Sequence, residues 1–142
     1  MLNENFKVTG QVTIQKNGEV VRDIPNTIVT AGKNNIASLI TDAGSKMTHM
    51  AVGTGTTSVA AGDTALVTET DRNALSTSGG TPSTNTIVYA AVWAAGDGTG
   101  ALTEAGLFSA SSSGTMLART VFSAVNKGAG DILTITWTVT IS

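Results

Sequence analysis

Hydrophobic and polar positions alternate along most of this chain, and the period changes once. In "FKVTGQVTIQ" (6–15), Phe6, Val8, Val12 and Ile14 point one way while Lys7, Thr9, Gln11, Thr13 and Gln15 point the other. Period two is the strand signature. Asn17-Gly18 follows, a pair that tolerates positive φ at both positions and so predicts a hairpin. "EVVRDI" (19–24) then returns antiparallel, and Pro25 ends it. The period shifts to that of a helix in "TAGKNNIASLITDAG" (30–44), where Ile36, Leu39 and Ile40 form a stripe at i, i+3 and i+4. Thr30 is placed to cap this helix and Gly44 to end it, which predicts one short α-helix near residues 31–43 lying on a sheet.

Beyond residue 47 the pattern is strand and turn. Residues 47–52 predict a strand that enters the glycine loop 53–57, and "DTALVTET" (63–70) predicts a single helical turn. Residues 71–78 and 85–94 predict two strands separated by "SGGTPSTN". The second is apolar on both faces, Ile87, Tyr89, Ala91 and Trp93 alternating with Val88, Ala90 and Val92, as in a central strand covered on both sides. "ALTEAGLF" (101–108) and "TMLARTVF" (115–122) flank the turn 109–114. In the last strand Leu133, Ile135, Trp137, Val139 and Ile141 oppose a row of threonines at 134, 136, 138 and 140. Such a β-branched row can meet water or another protein. The fold expected is mainly β: an antiparallel β-sandwich or barrel-like single domain over 1–142, with residues 1–8 as an N-terminal arm.

Composition narrows the function classes. Charged residues make up 13% of the 142 and the net charge is −2, against about 25% charged in an average domain. Thr, Ser, Gly and Ala take their place, residues that are cheap to desolvate against a neighbouring chain. No basic cluster is present to neutralise phosphates, which argues against nucleic acid. Cysteine is absent, so disulfides and thiolate metal sites are excluded. The N-terminus lacks the basic and apolar regions of a signal peptide, and no apolar stretch nears the ~20 residues of a membrane helix; the chain is expected to be soluble as made.

Four features invite chemistry. "HMAVGTGTT" (49–57) resembles the entry to a phosphate-cradling loop, but Ser58 stands where a dinucleotide fingerprint needs its third glycine and no lysine follows; it reads as a turn. His49 is the single histidine and has no marked catalytic partner. The loops "AAGD" (60–63) and "GDGTG" (96–100) each offer one Asp where calcium wants several carboxylates; they read as turns, with calcium the lesser alternative. Pairing the two strands so that Phe108 lies opposite Thr115 sets Glu104 opposite Arg119, a cross-strand ion pair expected to be structural and partly buried. Arg72, beside Glu69 and Asp71, is a second candidate for structural pairing. No catalytic residue, metal ligand or cofactor site is expected.

Three stretches together carry a resemblance: "VTAGKNNIASLI" (29–40), "MTHMAVGTGTTSVAAGDTALVTETDR" (47–72) and "TEAGLFSASSSGTMLARTVFSAVNKGAGDILTITWTVTIS" (103–142). Their ordering resembles small virion structural proteins of tailed bacteriophages, of the head decoration (cement) or head-fibre type. The first two are also similar to the N-terminal attachment region of tail-collar fibres, with Thr48–Gly53, Thr64-Ala65-Leu66, Glu69, Arg72 and Glu104–Phe108 filling that pattern and Thr54 standing where it usually has Asp. The resemblance implies a non-enzymatic protein of the virion, made in the host cytoplasm. Its expected place is the outer head surface, bound to the major capsid protein and to copies of itself, with a trimer expected from threefold sites. No shaft repeat or receptor-binding domain is visible, which favours decoration; the alternative is a tail fibre, collar or baseplate adaptor. Residues 1–8 with the 16–18 turn are expected to face the capsid. Trp93, Trp137 and Tyr89 read as core, which argues against a carbohydrate-binding tip.

Overall fold

The computed structural model describes residues 5–142. Ten strands and one helix follow in the order β1 (Val8–Lys16), β2 (Glu19–Pro25), β3 (Thr27–Ile28), α1 (Thr30–Ile40), β4 (His49–Gly53), β5 (Glu69–Ala74), β6 (Thr81–Ser83), β7 (Thr86–Trp93), β8 (Gly100–Phe108), β9 (Met116–Lys127) and β10 (Leu133–Ile141). They form two five-stranded antiparallel sheets, β2-β1-β10-β7-β6 and β3-β9-β8-β4-β5. The alternation of β10 is what makes the first sheet one-sided: Leu133, Ile135, Trp137 and Val139 are buried against the second sheet, and the threonines between them face outward. Val12, Ile14, Tyr89, Ala91 and Trp93 join them from one sheet, and Met50, Val52, Leu102, Ala105 and Leu107 from the other.

Both lateral seams are tied by side chains. Arg22 of β2 donates to the carbonyls of Ser123 and Ala124 on β9, and Asn73 of β5 donates to the carbonyl of Val92 on β7. The sandwich is therefore barrel-like at its edges, which leaves fewer unpaired backbone groups for a stray strand to meet.

Asn17 and Gly18 turn the first hairpin with φ of 53° and 84°, as a type I′ turn requires. Other expectations need correction. Lys7 exchanges two backbone hydrogen bonds with Ser142 and Val8 opens β1, so residues 7 and 8 belong to the sheet and not to an arm; residues 1–4 lie outside those described. The nine residues of β1 separate position 8 from the 16–18 turn by about 30 Å, at ~3.3 Å per residue, so the two lie at opposite ends of this strand. Residues 63–68 form a loop with no helical turn, and β5 begins at Glu69 and stops at Ala74. The turn-rich 78–85 contains β6. On β7 only Tyr89, Ala91 and Trp93 are buried; Val92 is exposed, so this strand is covered on one face.

The helix also departs from its expected form. Val29, not Thr30, is its N-cap and makes no side-chain bond. It ends in a Schellman arrangement, with Asp42 N–H donating to Leu39 and Ala43 N–H to Ser38. The left-handed residue is Asp42, at φ 60°, and not Gly44. Gly44 is small for a different reason: a Cβ there would lie 2.7 Å from the Asn35 carbonyl as the chain passes back beneath the helix. An aspartate in the left-handed region at a helix C-terminus is doubly unfavourable, sterically and against the dipole. Asp42→Gly is expected to stabilise the protein by about 0.5–1 kcal/mol in urea unfolding.

Candidate functional site

Glu104, Arg119, Arg72, Asp63 and the glycine loop converge on the face of the second sheet that is turned away from the first. Because Ala105 and Leu107 point into the sandwich, Glu104, Gly106 and Phe108 must point out of it. The long connection from Thr54 to Thr68 folds over this face. A second small core forms beneath it from Val29, Ala51, Leu66, Phe108 and Met116.

Glu104 and Arg119 lie at the centre, with side chains 0% and 1% exposed. They do not sit directly opposite one another. The observed register pairs Glu104 with Val121 and Gly106 with Arg119, because Phe108 lies opposite Met116 and not Thr115 and a bulge between Leu107 and Phe108 adds a second residue. The displacement is two residues, which preserves the face, so the side chains meet on the diagonal. Arg119 Nε and Nη2 donate to Glu104 Oε1 at 3.1 and 3.0 Å. The setting is fully buried where a partly buried one was expected.

The glycine loop supplies the rest of the cradle. Gly55 N–H and Thr68 N–H donate to Glu104 Oε2, each at 2.8 Å, and Val67 N–H donates to Oε1 at 2.9 Å. A loop that reads like an anion cradle does hold an anion, and the anion is a carboxylate of the same chain. Both glycines are needed for this approach. A Cβ on Gly53 would lie 2.8 Å from Glu104 Oε2, and one on Gly55 would run into the same oxygen. Arg119 fixes the far side of the loop, with Nη2 donating to the Thr57 carbonyl and Nη1 to Asp63 Oδ2, each at 3.0 Å. Asp63 Oδ2 also accepts from Ala60 N–H, closing the loop's last turn.

Desolvation pushes the Glu104 carboxyl up, but the N–H groups of Thr68, Val67 and Gly55 and the Arg119 guanidinium together outweigh it and hold the group below 4.5. A depressed carboxylate contributes stability above its unfolded value and loses it as pH falls through the folded one. The urea midpoint is therefore expected to be insensitive to this group from pH 7 to about 5 and to fall below about pH 4.5. Glu104→Gln should flatten that acid limb; an unchanged limb would show that the carboxylate is not held this way.

Arg72 forms a second clamp beside the first. It pairs with Glu69 at 2.6 Å, not with Asp71. It also donates to the carbonyls of Ala110 and Ser113 and lies 3.8 Å above the Phe108 ring. One guanidinium thus fastens the 109–114 turn to β5 and covers an aromatic ring. His49 sits on β4, its Nδ1 2.8 Å from Thr48 Oγ1. Asp97 is exposed in its turn. Trp93, Trp137 and Tyr89 are in the core.

Asp63 was visible in the sequence only as a turn aspartate. Its role follows from Arg119 having more donors than one carboxylate can occupy, a signal legible once the arginine is known to be buried. Buried Lys127, with Nζ on the Ala94 carbonyl at 2.9 Å, carried no signal in the pattern. Among the described residues no three His, Cys, Asp or Glu side chains are grouped to hold a metal, and no helix is long and apolar enough to cross a membrane. The arrangement is a framework that positions the loop 54–68 over the sheet. Comparison with family models, curated proteins and solved structures finds no match to this chain.

Proposed function

We propose that the protein is a non-enzymatic structural component of a tailed-bacteriophage virion, a decoration protein that binds the outer head surface and stabilises the shell. The resemblance in residues 29–40, 47–72 and 103–142 brings the idea in, and the outward face of the first sheet supports it. Across β1, β10 and β7 the paired outward positions run Gln11–Thr138–Val88, Thr13–Thr136–Ala90 and Gln15–Thr134–Val92. These rows hold no charge; the ion that borders them is Asp23 on β2, which accepts from Gln11 and Thr13, so a partner seated on β10 and β7 meets threonines and aliphatic side chains without desolvating an ion. The conspicuous charges inside the strands, Glu104, Arg119 and Arg72, are spent on holding loops. Their neighbours Gly53, Leu66, Glu69 and Phe108 belong to the same face, which suits the reading of the shared pattern as fold determinants.

In this role the partners are the major capsid protein and further copies of the chain, with a trimer proposed for threefold positions on the shell. No cofactor takes part. Each bound copy favours the assembled shell over its parts by mass action. Quantitative mass spectrometry of purified virions tests this. A copy number near that of the shell protein, or a simple fraction of it, is expected. A number far below it would place the chain at the tail or a unique vertex, as a fibre, collar or baseplate adaptor, and overturn the decoration reading.

A further inference from the structure

The helix is fastened to the sandwich at one end. Gly32, buried near its start, lies so close to Leu117 that a Cβ there would meet the β9 backbone at 2.8 Å. Toward its other end the apolar stripe meant for a sheet is uncovered: Ile40 is 82% exposed and Leu39 43%. Across from it Phe6, just before β1, is 70% exposed. Between them runs a groove of about 470 Å³ floored by Val8, Ile36 and Ala37. Past Val8 and Ile36 a second hollow of about 210 Å³ reaches in to Met47 and Tyr89.

The cations of the chain are distributed unevenly around this feature. Of the eight Lys and Arg residues, Arg119, Arg72 and Lys127 are buried or nearly so, and Arg22 and Lys16 donate to backbone carbonyls. The remaining three, Lys7, Lys33 and Lys46, are exposed and make no side-chain hydrogen bond or ion pair with any described residue. All three line the groove or its inner hollow, and no acidic residue among those described lines either. Asp42, two residues beyond Ile40, is outside both.

We propose that this groove docks a segment of a partner protein bearing two apolar anchors flanked by Asp or Glu. An apolar floor with a rim of one sign is how protein interfaces divide affinity from register: the anchors remove Phe6, Ile36 and Ile40 from water, and the carboxylates meet the three ammonium groups. The lysine stems lengthen the apolar wall while their charged ends stay at the rim. The open mouth suits a chain segment that can lie over Phe6 and Ile40 together, since a small ligand within the groove would leave both rims wet. That the partner is a shell protein rests on the virion reading; the groove's preference for an acidic apolar segment does not.

Titration of the full isotope-labelled chain, followed by NMR, separates the two. The probes are short synthetic peptides with the same two leucines, flanked by glutamates in one and by lysines in the other. The acidic peptide is expected to shift the amides of Lys7, Lys33, Ile36 and Ile40, and to bind at least about tenfold more tightly than its lysine counterpart. Ile40→Asp, at an exposed position, should abolish those shifts, while Val92→Asp on the outward sheet face should leave them intact. Equal affinity for the two peptides, shifts elsewhere on the surface, or no binding overturns the proposal. Concentration-dependent shifts of the same amides without peptide would assign the groove to a second copy. Appearance of acidic-peptide binding only after deletion of residues 1–4 would assign it to the chain's own N-terminus. Either result also overturns the proposal. Failure of the chain to bind heads lacking it, with the peptide preference intact, would remove the virion reading and leave the groove assignment standing.

Discussion

Glu104→Ala is expected to destabilise the protein more than Arg119→Ala, though the arginine is the larger side chain. Removing Arg119 leaves the carboxylate with its three backbone donors, and leaves Asp63 with Ala60 N–H and a side chain 26% exposed to water. Removing Glu104 orphans the N–H groups of Gly55, Val67 and Thr68 together and leaves the guanidinium with only Asp63 as an anionic partner. Breaking a buried ion pair costs about 3–5 kcal/mol, and orphaned N–H groups add to it. The glutamate variant belongs at the upper end of that range and the arginine variant at the lower. Against a total stability of about 5–15 kcal/mol, either is a large loss. The double-alanine variant should be better than the sum of the singles by roughly 1–3 kcal/mol, read from urea midpoints in a double-mutant cycle. Zero coupling, or a greater loss for Arg119→Ala, would mean that the loop is held by something other than this node.

Much of this architecture was legible where one residue type leaves the backbone a single choice. Asn17-Gly18 set the first hairpin because few other pairs accept two positive φ angles. The strict alternation of β10 told its inner face from its outer one. The ion pair was found through a register that was itself two residues out. Pairing is blind to bulges, which leave no mark in an alternating sequence, but an even slip returns each side chain to its own face. Three misreadings share another cause. Residues 63–70 read as a helical turn on local preference, yet Val67 and Thr68 direct their N–H groups to a carboxylate more than thirty positions away and β5 begins at Glu69. The outer face of β7 was read as covered because it is apolar, and Leu39 and Ile40 were read as packed for the same reason, although Ile36 of the same stripe does pack against the core. Periodicity reports which residues share a face. It does not report whether anything in the same chain lies over that face, and here the uncovered positions mark the two surfaces on which the functional readings rest.

The same logic distinguishes the two glycines of the loop 53–57. Both are buried, and neither has a positive φ, so conformational freedom does not explain them. At Gly53 a Cβ would strike the Thr68 carbonyl, which is backbone, as well as Glu104. At Gly55 it would strike the Glu104 carboxylate first, then approach Val67 Cβ at 2.6 Å. Gly53→Ala and Gly55→Ala should each cost about 1–3 kcal/mol, the usual penalty for overfilling a packed site. They should part company in the Glu104→Ala/Arg119→Ala background. With the carboxylate gone the Gly55 penalty is expected to shrink by roughly 1 kcal/mol or more, whereas the Gly53 penalty should persist because its obstacle is the main chain. If Gly55→Ala costs the same in both backgrounds, the obstacle is Val67 and not the anion. If its cost falls with the carboxylate, the loop's likeness to a phosphate cradle has a physical basis, with Glu104 occupying the place a phosphate would take.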